Sequence, residues 1–217
     1  MKDSLKQEIT ILLDSIDKEA CIDEELRSYL ATPIIEHLVA LLEANLDEEQ
    51  DTLSFAYDVY DSLATIYVRL LRFVISAKYN QKALEAAIKL YKKYGVIIPT
   101  VIETFSHLLR DRNYYVDDDC EDVLDLLKEV EIIGENKIKE IYEERMQRRR
   151  HLKHDPIEMS DEYLAVIDEV EKEIDDNRTI SGMGSCHEIW FLKAKFLAER
   201  GIVWHSPAML NRNVMFD

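Results

Sequence analysis

Five glycines and four prolines in 217 residues leave this chain few places to reverse direction. A β-sandwich, a barrel or a doubly wound α/β fold needs turn residues at most strand ends. The scarcity points to long helices, and the apolar spacing agrees. Leu5, Ile9, Leu12, Leu13 and Ile16 recur at helical steps with acids between them. Residues 23–45 continue the pattern through Leu26, Leu30, Ile34, Leu38, Leu41 and Leu42, with Pro33 expected to kink or divide the helix.

The strongest helical pattern covers residues 52–77. Its polar residues Asp58, Ser62, Thr65, Arg69, Arg72 and Ser76 fall at alternating steps of four and three. One narrow polar stripe on an apolar rod places this helix at the centre of a bundle. An amphipathic helix over 80–94 ends at Gly95, a C′ residue. Thr100 is placed to cap a helix over 101–110, and Asp118 or Asp119 one over 123–130. The last helix of this part starts near Lys137 and stops before Pro156. Ser160 then caps a helix with the seam Tyr163, Ile167, Val170 and Ile174. Ser185 with Glu188 three residues on reads as a capping box for a helix over 186–200, closed by Gly201. Ser206-Pro207 opens one further turn.

Charge narrows the choice of partners. The chain carries a net charge of −17, with −15 on residues 1–144 and +4 on residues 145–155. An acidic body repels nucleic acid and anionic membrane, so neither is an expected partner. The one basic cluster is Arg145, Arg148, Arg149, Arg150 and Lys153. It has no aromatic residues interleaved and reads as the charge complement of a helix C-terminus, although it is also the natural place to grip phosphate or RNA. Cys21, Cys120 and Cys186 are widely spaced with no CxxC pair, which favours reduced thiols in a cytoplasm. The N-terminus lacks the continuous apolar core of a signal peptide. The most apolar stretch, residues 63–77, is short for a bilayer and contains Arg69 and Arg72.

The most specific residues gather at the end. Residues 182–217 hold both tryptophans, three of the five glycines and three of the six methionines. Cys186, His187, Trp190, Trp204, His205, Asn211 and Phe216 form the candidate binding surface. Trp204 is expected to pack on the capped helix. The chain stays apolar through Val214, Met215 and Phe216, so the tail is either docked on its own domain or kept for a partner.

Several constellations carry possible chemistry. Cys186-His187 opens a helix, where the dipole favours thiolate. Neighbours on a helix point about 100° apart, so His187 is not placed as the base for Cys186. Gly182-Met183-Gly184-Ser185 precedes a helix and could cradle an anion, but it has neither the Lys-Ser/Thr of a Walker loop nor the third glycine of a dinucleotide fingerprint. His151 and His154 stand at i, i+3 beside Asp155, a spacing suited to metal ligation. Cys186 and His205 could complete a zinc site with the two histidines only if the chain folds back.

Two resemblances follow from these residues. His154-Asp155 resembles the central doublet of the HD phosphohydrolases, all-helical enzymes that hold divalent metal with several His and Asp residues. That resemblance implies an upstream His, with His37 and His107 available, and a downstream Asp such as Asp168; Pro156 departs from it by breaking the helix. Residues 64–99 resemble a single tetratricopeptide repeat, with Ala87, Tyr91 and Pro99 near the expected spacings. Ile75 replaces the small residue of its first helix and no second copy follows, so the segment reads as a generic antiparallel helix pair.

The chain therefore reads as an all-α protein. Residues 1–150 make an acidic multi-helix bundle or short helical superhelix, and residues 157–217 a small C-terminal helical module with an ordered tail; packing as one domain stays open. The expected function is a non-catalytic, cytoplasmic interaction or regulatory protein with a protein partner, compatible with a homodimer. No catalytic residue, metal or cofactor is assigned. The alternative is a metal-dependent hydrolase using the His151, His154 and Asp155 region.

Overall fold

Apolar residues at helical spacing become ten α-helices among the described residues of the computed structural model, which are 1–22, 25–115, 120–128, 134–147, 152–180 and 184–216. The protein is all-α and multi-helical. Helices α1 (Asp3–Glu19) and α2 (Ser28–Ala44) are joined by a minimal antiparallel hairpin pairing Cys21 with Leu26. This hairpin replaces the start of the helix expected over 23–45. Pro33 sits inside α2 without ending it. Its missing N–H removes the bond that would run to the Tyr29 carbonyl near the helix start.

Helices α3 (Gln50–Arg69) and α4 (Phe73–Tyr94) form the central antiparallel pair. The single helix expected over 52–77 is thus cut in two. Its end is a Schellman motif. Arg72 N–H donates to Tyr67 O at 2.8 Å and Leu71 N–H to Val68 O at 3.0 Å. Leu71 takes the left-handed position at φ 56°. A leucine there gives no sequence signal, because glycine is the usual occupant. The fold-back buries Ser76, whose one hydroxyl proton has two acceptors in reach, Ala64 O at 2.9 Å and Asp111 Oδ2 at 2.6 Å. Tyr67 stacks on Tyr79 across the pair, with ring centroids 5.4 Å apart. Gly95 ends α4 in the left-handed conformation, as its position predicts.

Helices α5 (Val101–Arg112), α6 (Glu121–Lys128) and α7 (Glu135–Gln147) complete the larger part. Thr100 does not cap α5; its hydroxyl meets Tyr57 Oη at 2.8 Å instead. Asp118 and Asp119 lie outside the described residues. Buried side chains from α1 to α7, including Ile9, Leu38, Leu63, Leu84 and Phe105, form one apolar core.

A second apolar core belongs to α8 (Asp161–Asn177) and α9 (Ser185–Glu199). The predicted seam Tyr163, Ile167, Val170 and Ile174 is buried against Leu192, Phe196 and Leu197, and Ile202 and Trp204 close it. Ser160 caps α8 by accepting from Tyr163 N–H at 3.2 Å. Gly201 ends α9 in a second Schellman motif, with Ile202 N–H donating to Leu197 O at 2.9 Å. Ser206 caps the short α10 (Pro207–Leu210). No helix among the described residues is long and apolar enough to cross a membrane.

Helix α8 joins the two cores through its other face. Asp168, Glu171 and Asp175 accept hydrogen bonds from Thr32 Oγ1 at 2.6 Å, from Ser28 Oγ and from Tyr29 Oη at 3.1 Å. Arg72, at the α3–α4 corner, pairs with Glu171. The junction is therefore polar and ionic, with carboxylates of one helix set on the hydroxyls of another.

Candidate functional site

The predicted surface residues divide into internal anchors and an outer face. Trp204 is an anchor. It is buried, and its Nε1–H donates to Glu158 at 2.6 Å. Lys193 lies over the Trp204 ring at 4.7 Å and the Tyr163 ring at 5.2 Å, and 3.6 Å from Glu158. The indole is thus gripped at its edge by a carboxylate and on its face by a cation.

His205 and Asn211 hold the tail to the chain ahead of α8. Asp155, almost fully buried, accepts from His205 N–H at 2.7 Å, meets His205 Nδ1 at 2.8 Å and accepts from Ile157 N–H at 3.1 Å. Asn211 pairs with Lys153 as a backbone substitute, accepting from Lys153 N–H and donating to Lys153 O, both at 2.8 Å.

The outer face starts at α9. Cys186 is half-buried and His187 exposed. His187 meets Trp190 edge-on at 5.4 Å, and Trp190 meets Phe216 edge-on at 5.2 Å. Phe191, one turn beyond His187, is 70% exposed, and Met215 beside Phe216 is 89% exposed. Ser185 does not form the expected capping box. Gly184 is the N-cap, with no side-chain cap. Glu188 reaches back instead to the 179–180 loop, accepting from Thr179 N–H at 3.0 Å, Thr179 Oγ1 at 2.7 Å and Ile180 N–H at 2.7 Å. These bonds hold its carboxyl below the usual range, with the Thr179 hydroxyl the largest cause. Gly182 and Met183 of the glycine loop lie outside the described residues.

The His-rich segment is not gathered into one cluster of donors. His151 and Arg148–Arg150 lie outside the described residues. The His154 ring packs 4.3 Å from that of Tyr114 and 5.9 Å from that of Tyr115. Asp155 is engaged with His205 in the other direction. Among the described residues no three His, Cys, Asp or Glu side chains come together as a metal-binding group. None of the three cysteines is joined in a disulfide.

The most perturbed groups are ones that the sequence pattern does not single out as a site. Arg72, Glu171, Lys193 and Glu158 form an ionic centre under Tyr163 and Tyr115. Burial is the largest influence on Arg72 and opposes its charge, but Glu171, Tyr163 and Asp168 together more than offset it and raise the guanidinium pKa. Burial likewise opposes the Glu171 charge, while Arg72, the Ser28 hydroxyl and Lys193 together lower its pKa. Lys193 goes the other way, since burial lowers its pKa despite Glu158. Burial raises the Tyr163 and Tyr115 phenols. One signal was available, because Arg72 interrupts an apolar stretch; its partner lies 99 residues away and has no local mark.

Compared with known proteins, the chain matches no family model, no curated protein and no solved structure.

Proposed function

We propose that this chain is a non-catalytic, cytoplasmic interaction or regulatory protein, and that α9 with the tail presents the face that meets a protein partner. The observation that carries this reading is a row in which exposed His187, Phe191 and Met215 flank the half-buried rings of Trp190 and Phe216. Large apolar side chains held in place and left open to solvent are characteristic of interaction surfaces. The anchors behind them support the reading: the Trp204–Glu158 bond and the Asn211–Lys153 pair hold the face in one geometry, which lowers the ordering cost of binding. The acidic body favours a partner with a basic rim. A second copy of the chain is the other partner to test.

The test is affinity capture with the whole chain, followed by reconstitution with the purified partner. Phe191→Asp and Met215→Asp should abolish a stoichiometric complex while leaving the melting temperature unchanged. Sedimentation of the chain alone tests self-association. A monomer whose partner binds both variants as tightly as the parent removes the proposed face.

A further inference from the structure

Helix α8 packs in two directions, and the two contacts differ in kind. One stripe, Tyr163, Ile167, Val170 and Ile174, is buried in the second core. The other, Asp168, Glu171 and Asp175, meets Thr32, Ser28 and Tyr29 of α2 in antiparallel order. Arg72 and Arg27 add ion pairs to Glu171 and Asp175. The buried apolar residues fall into two separate cores, one on each side of this seam. Each polar pair in the seam replaces bonds that both partners make to water when apart. Closing it therefore gains little net free energy, whereas each core holds itself together by apolar burial.

The seam is also incompletely filled. A cavity of about 520 Å³ lies between the start of α2, the α3–α4 corner, α8 and α9. Atoms lining a gap forfeit the dispersion contacts of a close-packed interface. The closed form also keeps Arg27 Nη2 buried without an acceptor, a cost that water removes on opening. A contact between parts of one chain that is polar and loosely packed permits relative motion, while a large apolar one prevents it.

We propose that the α2–α8 seam is a docking joint, from which the unit of α8, α9 and α10 swings away while both cores stay folded. The pivot is the corner where the His154 ring packs on Tyr114 and Tyr115, because the segment leading into α8 rests there. Opening bares Leu70 and Ile174, which are 6% and 5% exposed in the closed form. The cavity thus becomes an apolar surface that the chain shows only when undocked. This device is independent of the outer face of α9 and the tail, which points away from the second core.

The test is timed thiol labelling of the full chain with N-ethylmaleimide, read site by site by peptide mass spectrometry. Ser28 is 1% exposed with its hydroxyl on Glu171, so the thiol of Ser28→Cys is covered while the seam is closed. Val59→Cys and Val170→Cys place thiols in the larger and the second core, at 2% and 0% exposure. The Ser28→Cys thiol should react at least about tenfold faster than either core thiol, since partial opening costs less than unfolding. Adding Arg72→Met should speed Ser28→Cys by at least about tenfold again and leave the two core thiols unchanged. A seam thiol that reacts no faster than the core thiols, or a rise shared by all three on adding Arg72→Met, overturns the proposal, because the seam would then open only with unfolding. Should Ser28→Cys not fold, urea unfolding of the parent decides. Tryptophan fluorescence, which follows α9, and circular dichroism, which follows all the helices, are expected to differ in midpoint, and coincident transitions overturn the proposal.

Discussion

Replacing Arg72 with methionine should destabilise the junction between α8 and the larger core. The Arg72 side chain is 6% exposed and pairs with Glu171, which is 29% exposed and also bonded to Ser28. Removing one member of a buried ion pair commonly costs about 3–5 kcal/mol, because the other charge stays behind without compensation. Here Glu171 keeps its Ser28 hydroxyl and some access to water, so a loss of about 2–3 kcal/mol is expected. For a chain of this length that corresponds to a drop in melting temperature of about 4–12 °C. Glu171→Leu strands the better-buried arginine and should cost more, about 3–5 kcal/mol. The double variant Arg72→Met/Glu171→Leu removes both charges and should recover at least half of the summed losses. Both tryptophans, Trp190 and Trp204, lie in or beside α9, so their fluorescence reports on this unit while far-ultraviolet circular dichroism follows all the helices. Urea unfolding of the four proteins completes a double-mutant cycle. Additive losses in the double variant, or a change below about 0.5 kcal/mol for Arg72→Met, would refute the reasoning, since a coupled buried pair predicts neither.

Three further outcomes are expected. Trp204→Ala should cost about 3–5 kcal/mol through the lost apolar contact, and Trp204→Phe less, because it keeps a six-membered aromatic ring and gives up the pyrrole part of the indole with its bond to Glu158; thermal unfolding ranks the two. Glu188→Ala should release the 179–180 loop at about 1 kcal/mol and speed its amide exchange, whereas Ser185→Ala should stay within about 0.5 kcal/mol, because that hydroxyl caps nothing. Glu171 titrates below the ordinary 4.5 in the folded protein. Its contribution is therefore complete above that pH and is lost as pH falls through the folded value. Tryptophan fluorescence should then report loosening of α8 and α9 in acid, an effect absent from Glu171→Gln.

By itself the sequence determined the class of the fold and much of its punctuation. Few turn residues and apolar positions at helical spacing led to helices, and the seam Tyr163, Ile167, Val170 and Ile174 is buried as its spacing implies. Gly95, Gly201, Ser160 and Ser206 end or begin helices where they were expected, because a cap acts within four residues and leaves a local signature. The break after Arg69 was not legible. Leu71 occupies a left-handed position that favours glycine, and what holds it there is the packing of α3 on α4. Glu188 matched a capping box by spacing, yet its carboxylate went to the loop behind it, since both uses need the same residue type at the same place. The ionic centre and the cavity belong wholly to the tertiary structure. Ser28 and Glu171 are 143 residues apart, and Arg72 and Glu171 are 99 apart. Periodicity and capping are properties of neighbours along the chain, whereas the partner of a buried charge is chosen by which helices come to lie together.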